Sequence, residues 1–409
     1  MEFEYGIIGG GPAGYTTAMA LAQKGHSVVL FEKDKLGGTC LNKGCIPTKS
    51  LLHSSELYKH ILQADNIGLD IEIKSFDFNK IAEKRDKTIE KIRKSLELAV
   101  KTSGVQVVYN EAKVLNAQVI LADKEYKVKE IIIATGSKPR ELKGLEFDGE
   151  FVLSSDDVLK LNTLPKSVLI IGSGAIGIEW ARIFSNFGVE VSIVELAEHL
   201  IPLADIEVSK RIERIFKQKK VKYYTQDCVE HINNKKVTLK SGTILEPDFI
   251  LLAVGREPLK LESFNCKLLG DACGEIQLAH YAISQGLGFA DNRNTNLDKN
   301  LISSVIYGEP EIAWVGKREQ DCDETCKKVM LPITALGKSW CDDATEGFIK
   351  IIAKDDKIVG AHIVSKEASA LIQQILIAMK NDIKISDLKK VCFAHPTYSE
   401  GILEAIHRL

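Results

Sequence analysis

Two cysteines with four residues between them, Cys40 and Cys45, lie in GGTCLNKGCIPTKSLL at residues 37–52. Four intervening residues leave enough chain to close a ring between the sulfurs. Pro47 is well placed to open a helix. Cys45 then falls near the positive end of that helix, which stabilises a thiolate and lowers its pKa. Such a pair can exchange electrons with a dithiol. A structural disulfide is the plainer reading, but it suits an oxidising compartment, and the neighbouring glycines point to close approach of a ligand. A metal pair would need further ligands, and none stands nearby.

The other seven cysteines carry less. Cys228, Cys266, Cys273, Cys341 and Cys392 are scattered and read as small hydrophobes. Cys322 and Cys326, four apart, are expected on the surface of a helix, with no third ligand to complete a metal site. Near the other end of the chain FAHPTYSEGILEAI carries His395, with Glu400 five positions on. A carboxylate on one imidazole nitrogen fixes the tautomer and raises the basicity of the other. His395 reads equally well as a satisfied loop histidine; a thiol-handling enzyme would need it as proton acceptor.

Two glycine motifs must sit on strand–turn–helix units. Gly9, Gly11 and Gly14 form G-x-G-x-x-G, and Glu32 ends the next strand. The glycines permit a tight turn and let backbone N–H groups reach a pyrophosphate at a helix N-terminus, while the carboxylate suits ribose hydroxyls. Gly172, Gly174, Gly177 and Glu195 repeat the device 163 residues later, with Gly188 matching Gly25 at the same offset. Glu195 would repel a 2′-phosphate, which favours NAD over NADP.

Around these units the chain reads strand, turn, helix, strand, the pattern of a helix-flanked parallel sheet. EIIIATGSKP and FILLAVGREP each run a buried strand into a small-residue turn. Residues 80–101 form a charged helix with Ile89, Ile92, Leu96 and Val100 on its apolar side. The last hundred residues differ in style. GFIKIIAKDDKIVGAHIVS reads as two strands joined at Asp355 and Asp356, and a helix follows with Leu371, Ile372, Ile375, Leu376 and Met379 on one face. The expected architecture is α/β. Two Rossmann-like nucleotide-binding domains occupy residues 1–140 with 262–295, and residues 141–261. A C-terminal α+β domain spans residues 296–409.

At 409 residues, two or three domains are expected. A net charge of −2 implies no basic surface, so nucleic acid is not an expected partner. No apolar run reaches membrane-spanning length. The first strand begins almost at once, leaving no room for a leader peptide, and the expected location is the cytoplasm.

Taken together, these motifs resemble the pyridine nucleotide–disulfide oxidoreductases, and within them the dihydrolipoamide dehydrogenase group, over residues 5–405. GGTCLNKGCIPTK and HPTYSE resemble the group's redox and base motifs. ATGS at 134–137, AVGREP at 253–258, GD at 270–271, LAH at 278–280 and YGEPEIAWVG at 307–316 stand where the family has similar segments. The redox pair lies in the first unit, whereas small thioredoxin reductases carry C-x-x-C in the second. The end AIHRL lacks the extra cysteines of mercuric reductases.

The resemblance implies FAD and NAD as cofactors. Gly9, Gly11, Gly14 and Glu32 would hold the ADP part of FAD, with Gly38 and Thr39 near its phosphates and Thr135 and Gly136 also in contact. Lys49 would lie beside the flavin and pair with Glu179. Asp271 would take the ribityl or phosphate region, and Leu278, Ala279 and His280 would flank the isoalloxazine. Gly172, Gly174, Gly177, Glu195 and Gly255 would hold NAD. It also implies catalysis by Cys40, Cys45, His395, Glu400, Lys49 and Glu179, no metal, and a homodimer in which His395 serves the other subunit. The implied partners are lipoyl-bearing acyltransferases of 2-oxo acid dehydrogenase complexes or the glycine cleavage system. Alternatives are a related reductase of another disulfide and a non-catalytic flavoprotein subunit. The chain departs from the family in a shorter segment between Arg256 and Gly270, in Lys267 within a usually apolar strand, in trimmed hairpins near residues 116–129 and 229–243, and in lacking a glycine near Glu111 and Ala112.

Overall fold

VVLFE at Val28–Glu32 is apolar without alternation, and all five residues are buried. A strand covered on both faces demands this, and parallel pairing supplies it. Strand Glu2–Ile8 runs parallel to Val28–Glu32 on one side and to Glu125–Ile133 on the other. Gln106–Tyr109 continues the sheet beyond Val28–Glu32. Val119–Leu121 and Lys113–Asn116 add an antiparallel hairpin at the far edge, and the short strand Lys267–Leu268 pairs with Ile132 and Ile133. The structure, a computed structural model, describes residues 2–259, 261 and 264–409. The expected boundary at residue 262 lies outside them.

The second glycine unit opens a second sheet, entirely parallel. Its order is Lys222–Thr225, Glu190–Glu195, Ser167–Ile171, Phe249–Leu252, Val152–Leu153. The repeat is atomic as well as sequential. Gly9 N–H donates to Phe31 O at 2.8 Å and Gly172 N–H to Val194 O at 2.8 Å. Ala134 N–H donates to Ile8 O and Ala253 N–H to Ile171 O, both at 2.8 Å.

A third, antiparallel sheet of five strands closes the chain: Ser304–Ile306, Glu311–Gly316, Lys357–Ser365, Phe348–Lys354, Lys327–Pro332. Asp355 and Asp356 both take positive φ, 51° and 60°. This is the type I′ geometry that matches the twist of a two-residue hairpin. The helix Ala368–Lys380 buries Leu371, Ile372 and Ile375 against the sheet, with Leu376 and Met379 partly buried.

Two local expectations fail. Cys322 and Cys326 lie on no helix. The Asp323 carboxylate accepts from the Thr325 N–H and hydroxyl, which favours a turn over a helix, and at Lys327 the chain enters the third sheet. In the helix Phe78–Thr102, Ile89 and Val100 are buried but Ile92 is exposed. Among the described residues, no helix is long and apolar enough to cross a membrane, and no three His, Cys, Asp or Glu side chains cluster as a metal site.

The helix Cys45–Leu62 leaves the first sheet and packs against the helix Ala175–Asn186 of the second glycine unit. Leu51 and Leu52 share one apolar cluster with Ile178, Ile183, Ile306 and Ile312. Residues from Gly177 to Phe184 are buried without a break, and among them are the charged Glu179 and Arg182. Buried charges need partners, and these define the site.

Candidate active site

Cys40 stands on a short helix, Gly38–Lys43, rather than on an open loop. Gly44 ends that helix and caps the next, so Cys45 itself is the first helical residue. Pro47 falls in the first turn, where its missing N–H costs nothing. Both cysteines are half-buried free thiols. Their titration is split apart. The Cys45 thiol is pulled down to about 7 by a hydrogen bond shared with Cys40; burial opposes this and the Lys49 charge supports it. The Cys40 thiol is held well above its ordinary range by the same sharing and by burial. Cys45 is therefore the thiol of the pair that ionises around neutral pH, while Cys40 keeps its proton.

Lys49 is one helical turn beyond Cys45. Its Nζ lies 2.9 and 2.8 Å from the Glu179 carboxylate oxygens and 4.7 Å from the centre of the Tyr307 ring. The Tyr307 N–H donates to Glu179 Oε1 at 3.0 Å. An ammonium so bound is a fixed positive charge beside the thiol pair.

Each glycine turn has positions where no side chain fits. A Cβ on Gly14 would meet Gly9 O at 1.8 Å, and one on Gly177 would meet Gly172 O at 2.0 Å. A Cβ on Gly38 would lie 2.6 Å from Gly11 Cα, so the first turn and the cysteine segment touch backbone to backbone. Around Gly136, Gly174 and Gly255, by contrast, the space is open. Glu32 receives the N–H groups of Gly10 and Asp34, both at 2.8 Å. Glu195 receives those of Ser173 and Ala197, both at 2.9 Å. Each carboxylate is thus locked beside its turn with lone pairs to spare.

Asp271 accepts from Ser137 Oγ at 2.6 Å, and Arg256 Nε donates to the same hydroxyl at 2.8 Å. This joins Thr135 and Gly136, just before Ser137, to the turn that carries Asp271. His280 Nε2 meets Ser303 O at 2.9 Å, beside Leu278 and Ala279 at the start of the helix Ala279–Ala290. His395 Nδ1 lies 2.8 Å from Glu400 Oε1, and 78 % of its side chain is exposed. Among the described residues, no hydrogen bond or ion pair ties His395 to the cysteines. Sequence reasoning missed Tyr307, Arg256 and Arg182 as parts of the site, although the first two lie in segments that resemble the family.

Residues 3–282 match the model of the pyridine nucleotide-disulphide oxidoreductases, and residues 302–406 match that family's dimerisation domain. The chain belongs to this family. It is 32% identical to a dihydrolipoyl dehydrogenase of Bacillus subtilis, over 99% of this chain and 97% of that protein. It is also 32% identical to a leghemoglobin reductase of Vigna unguiculata, over 98% of this chain and 86% of that protein. The crystal structure of LpdA from Mycobacterium tuberculosis superposes with a TM-score of 0.91 at 23% identity, covering 99% of both chains, which establishes the shared fold. As a member, the chain is an NAD-linked, FAD-dependent disulfide oxidoreductase that carries the family's dimerisation domain. The residues fit those cofactors: two strand–turn–helix cradles with no room for Cβ, each flanked by a fixed carboxylate, offer two dinucleotide sites.

Proposed function

We propose that this enzyme oxidises dihydrolipoyl groups with NAD⁺ through the Cys40 and Cys45 pair. The observation that supports the reading is the Cys40 and Cys45 pair at the head of the helix that carries Lys49, whose Nζ is held by Glu179. FAD, when bound, carries the electron pair from thiols to nicotinamide. Gly9, Gly11, Gly14 and Glu32 hold its ADP part, Gly38 and Thr39 its phosphates, Thr135, Gly136 and Asp271 its middle, and Leu278 to His280 the ring. Gly172, Gly174, Gly177, Glu195 and Gly255 hold NAD.

His395 of the partner subunit, steadied by Glu400 of the partner subunit, takes the proton of one substrate thiol. The new thiolate attacks the Cys40 sulfur. In the oxidised enzyme, where Cys40 and Cys45 are joined as a disulfide, that bond breaks, a bond from Cys40 to the substrate forms, and Cys45 leaves as thiolate. The second substrate thiol displaces Cys40 and closes the cyclic disulfide. Cys40 takes the proton of that second thiol and Cys45 is left as the thiolate, the distribution their surroundings favour. The glycine and carboxylate geometry of the two turns supports a domain division at residues 1–140 with 262–295, 141–261 and 296–409, with the last building a homodimer.

The natural substrate in this reading is a lipoyl-bearing acyltransferase of a 2-oxo acid dehydrogenase complex, or the glycine cleavage system. The test compares turnover of dihydrolipoamide with NAD⁺ against reduction of glutathione disulfide and of a haem protein by NADH. Dihydrolipoamide is expected to be preferred by at least about 100-fold in kcat/KM, some 3 kcal/mol of transition-state binding. A preference for either other acceptor rejects it.

A further inference from the structure

Behind the Lys49 and Glu179 pair lies a charged cluster that the reaction above does not use. Arg182, one turn beyond Glu179, is 2% exposed. Its Nη1 donates to Tyr307 O at 2.6 Å, while the N–H of the same Tyr307 donates to Glu179. The backbone of Tyr307 is thus clamped between the two charged residues of one helix. The clamp is tight: a Cβ on Gly308 would lie 2.4 Å from Arg182 Nη1. Glu56 lies on the helix of Cys45 and Lys49, seven positions beyond Lys49 and so on the same face.

Arg182 Nη2 and Glu56 Oε1 are both buried without a hydrogen-bond partner among the described residues. The groups that bear on Arg182 are Glu56, Glu179, Glu311 and Glu309. Those that bear on Glu56 include Glu309, Arg182, Lys219 and Lys59. Glu309 also meets Lys59 at 3.7 Å and His60 at 2.7 Å. Burial lowers Arg182 only to about 10, so it remains a cation at neutral pH. Burial and Glu309 push Glu56 up to about 7.

We infer that Arg182 is a positioning residue for the redox pair. It fixes Glu179 through the Tyr307 backbone, offsets the negative charge of Glu179, and so holds the Cys45 thiolate within reach of neutral pH. Glu56 works against it as a buried counter-charge. The inference rests on the reading of Cys45 as the ionised thiol. Glu179 disfavours that thiolate, and a cation fully removed from water acts on Glu179 with little screening.

The test is the pH dependence of alkylation of the dithiol-reduced holoenzyme by iodoacetamide, with modification at Cys45 followed by mass spectrometry. In the wild type a midpoint near 7 is expected. Arg182→Met should raise that midpoint by about half a pH unit or more, and Arg182→Lys should restore it. Glu56→Gln should move it down. A change that merely loosened the packing would shift both variants in the same direction. Opposite shifts support the inference. Equal shifts, or none in either, overturn it. If Arg182→Met does not accumulate as folded protein, Glu56→Gln decides alone, a downward shift supporting and any other result overturning. A wild-type Cys45 midpoint at an ordinary thiol value would instead contradict the reading of the pair itself.

Discussion

Lys49 and Glu179 stand 130 positions apart in the chain, yet the lysine Nζ lies within 2.9 Å of both carboxylate oxygens. Each residue belongs to a different nucleotide-binding unit, so the contact ties the redox helix to the helix of the second glycine turn. Glu179 is nearly enclosed and Lys49 about one-third exposed. Glu179→Ala is expected to lower stability by about 3 kcal/mol, the low end for breaking a buried pair, because water reaches the lysine. Urea unfolding of the holoenzyme measures this. A loss under about 1 kcal/mol would show that the pair contributes no more than a surface bridge.

Loss of Cys45 is predicted to separate two reactions of the enzyme. Cys45→Ser should abolish oxidation of dihydrolipoamide while NADH oxidation by artificial acceptors persists. Steady-state assays of both reactions on one preparation separate these losses, and full lipoamide turnover in the variant would remove Cys45 from the mechanism.

The glycine turns give a contrast within one motif. Gly177→Ala places a methyl 2.0 Å from Gly172 O, whereas Gly174→Ala points into open space. The first should cost about 3 kcal/mol or more through forced backbone movement. The second should leave unfolding nearly unchanged but weaken NADH binding. Thermal melts and NADH titrations of the two variants check both halves.

These turns were legible in the sequence because at Gly9, Gly14, Gly172 and Gly177 their chemistry is one of exclusion: only glycine fits there, so the residue type announces the geometry. The pairing of Lys49 with Glu179 was legible only through family resemblance, since no local pattern joins residues so far apart. Arg182 gave no signal, because a single arginine in EWARIF reads as the polar side of an amphipathic helix. Only the packing of that helix between two units shows that it has no polar side. Cys322 and Cys326 were misplaced for the opposite reason: their spacing suits a helix, but the Asp323 side chain between them accepts from the Thr325 N–H and turns the chain.

A second buried charge joins the third sheet to Asp205, the N-cap of the helix Ile206–Gln218. Lys350 is 2% exposed and binds Asp205 at 2.7 Å and Glu319 at 2.5 Å. Burial would raise the Asp205 carboxyl, but Lys350 and the Glu319 N–H bring it below its ordinary value. Its stabilisation is therefore full above the unfolded value of about 4 and is lost as pH falls through the lower folded value. Lys350→Met should cost about 3–5 kcal/mol at pH 7. Urea unfolding between pH 7 and pH 3 should show the gap between wild type and variant closing toward the acid end.

His395 is predicted to act across the dimer. His395→Gln should slow thiol exchange by about 100-fold or more, the usual scale for a lost general base, while flavin content stays at the wild-type level. Mixing Cys45→Ser and His395→Gln subunits should restore part of the activity, because one of the two sites in a mixed dimer is then intact. Stopped-flow reduction by dihydrolipoamide is the measurement, and an unchanged rate would return His395 to the role of a loop histidine.

The proposed function requires the ionised Cys45 sulfur to pass its electron pair to bound FAD. Its most direct test is the visible spectrum of the FAD-loaded enzyme before and after anaerobic addition of dihydrolipoamide. A long-wavelength charge-transfer band should appear and should fade as pH falls through about 7. Reduction with no such band at any pH would contradict the claim.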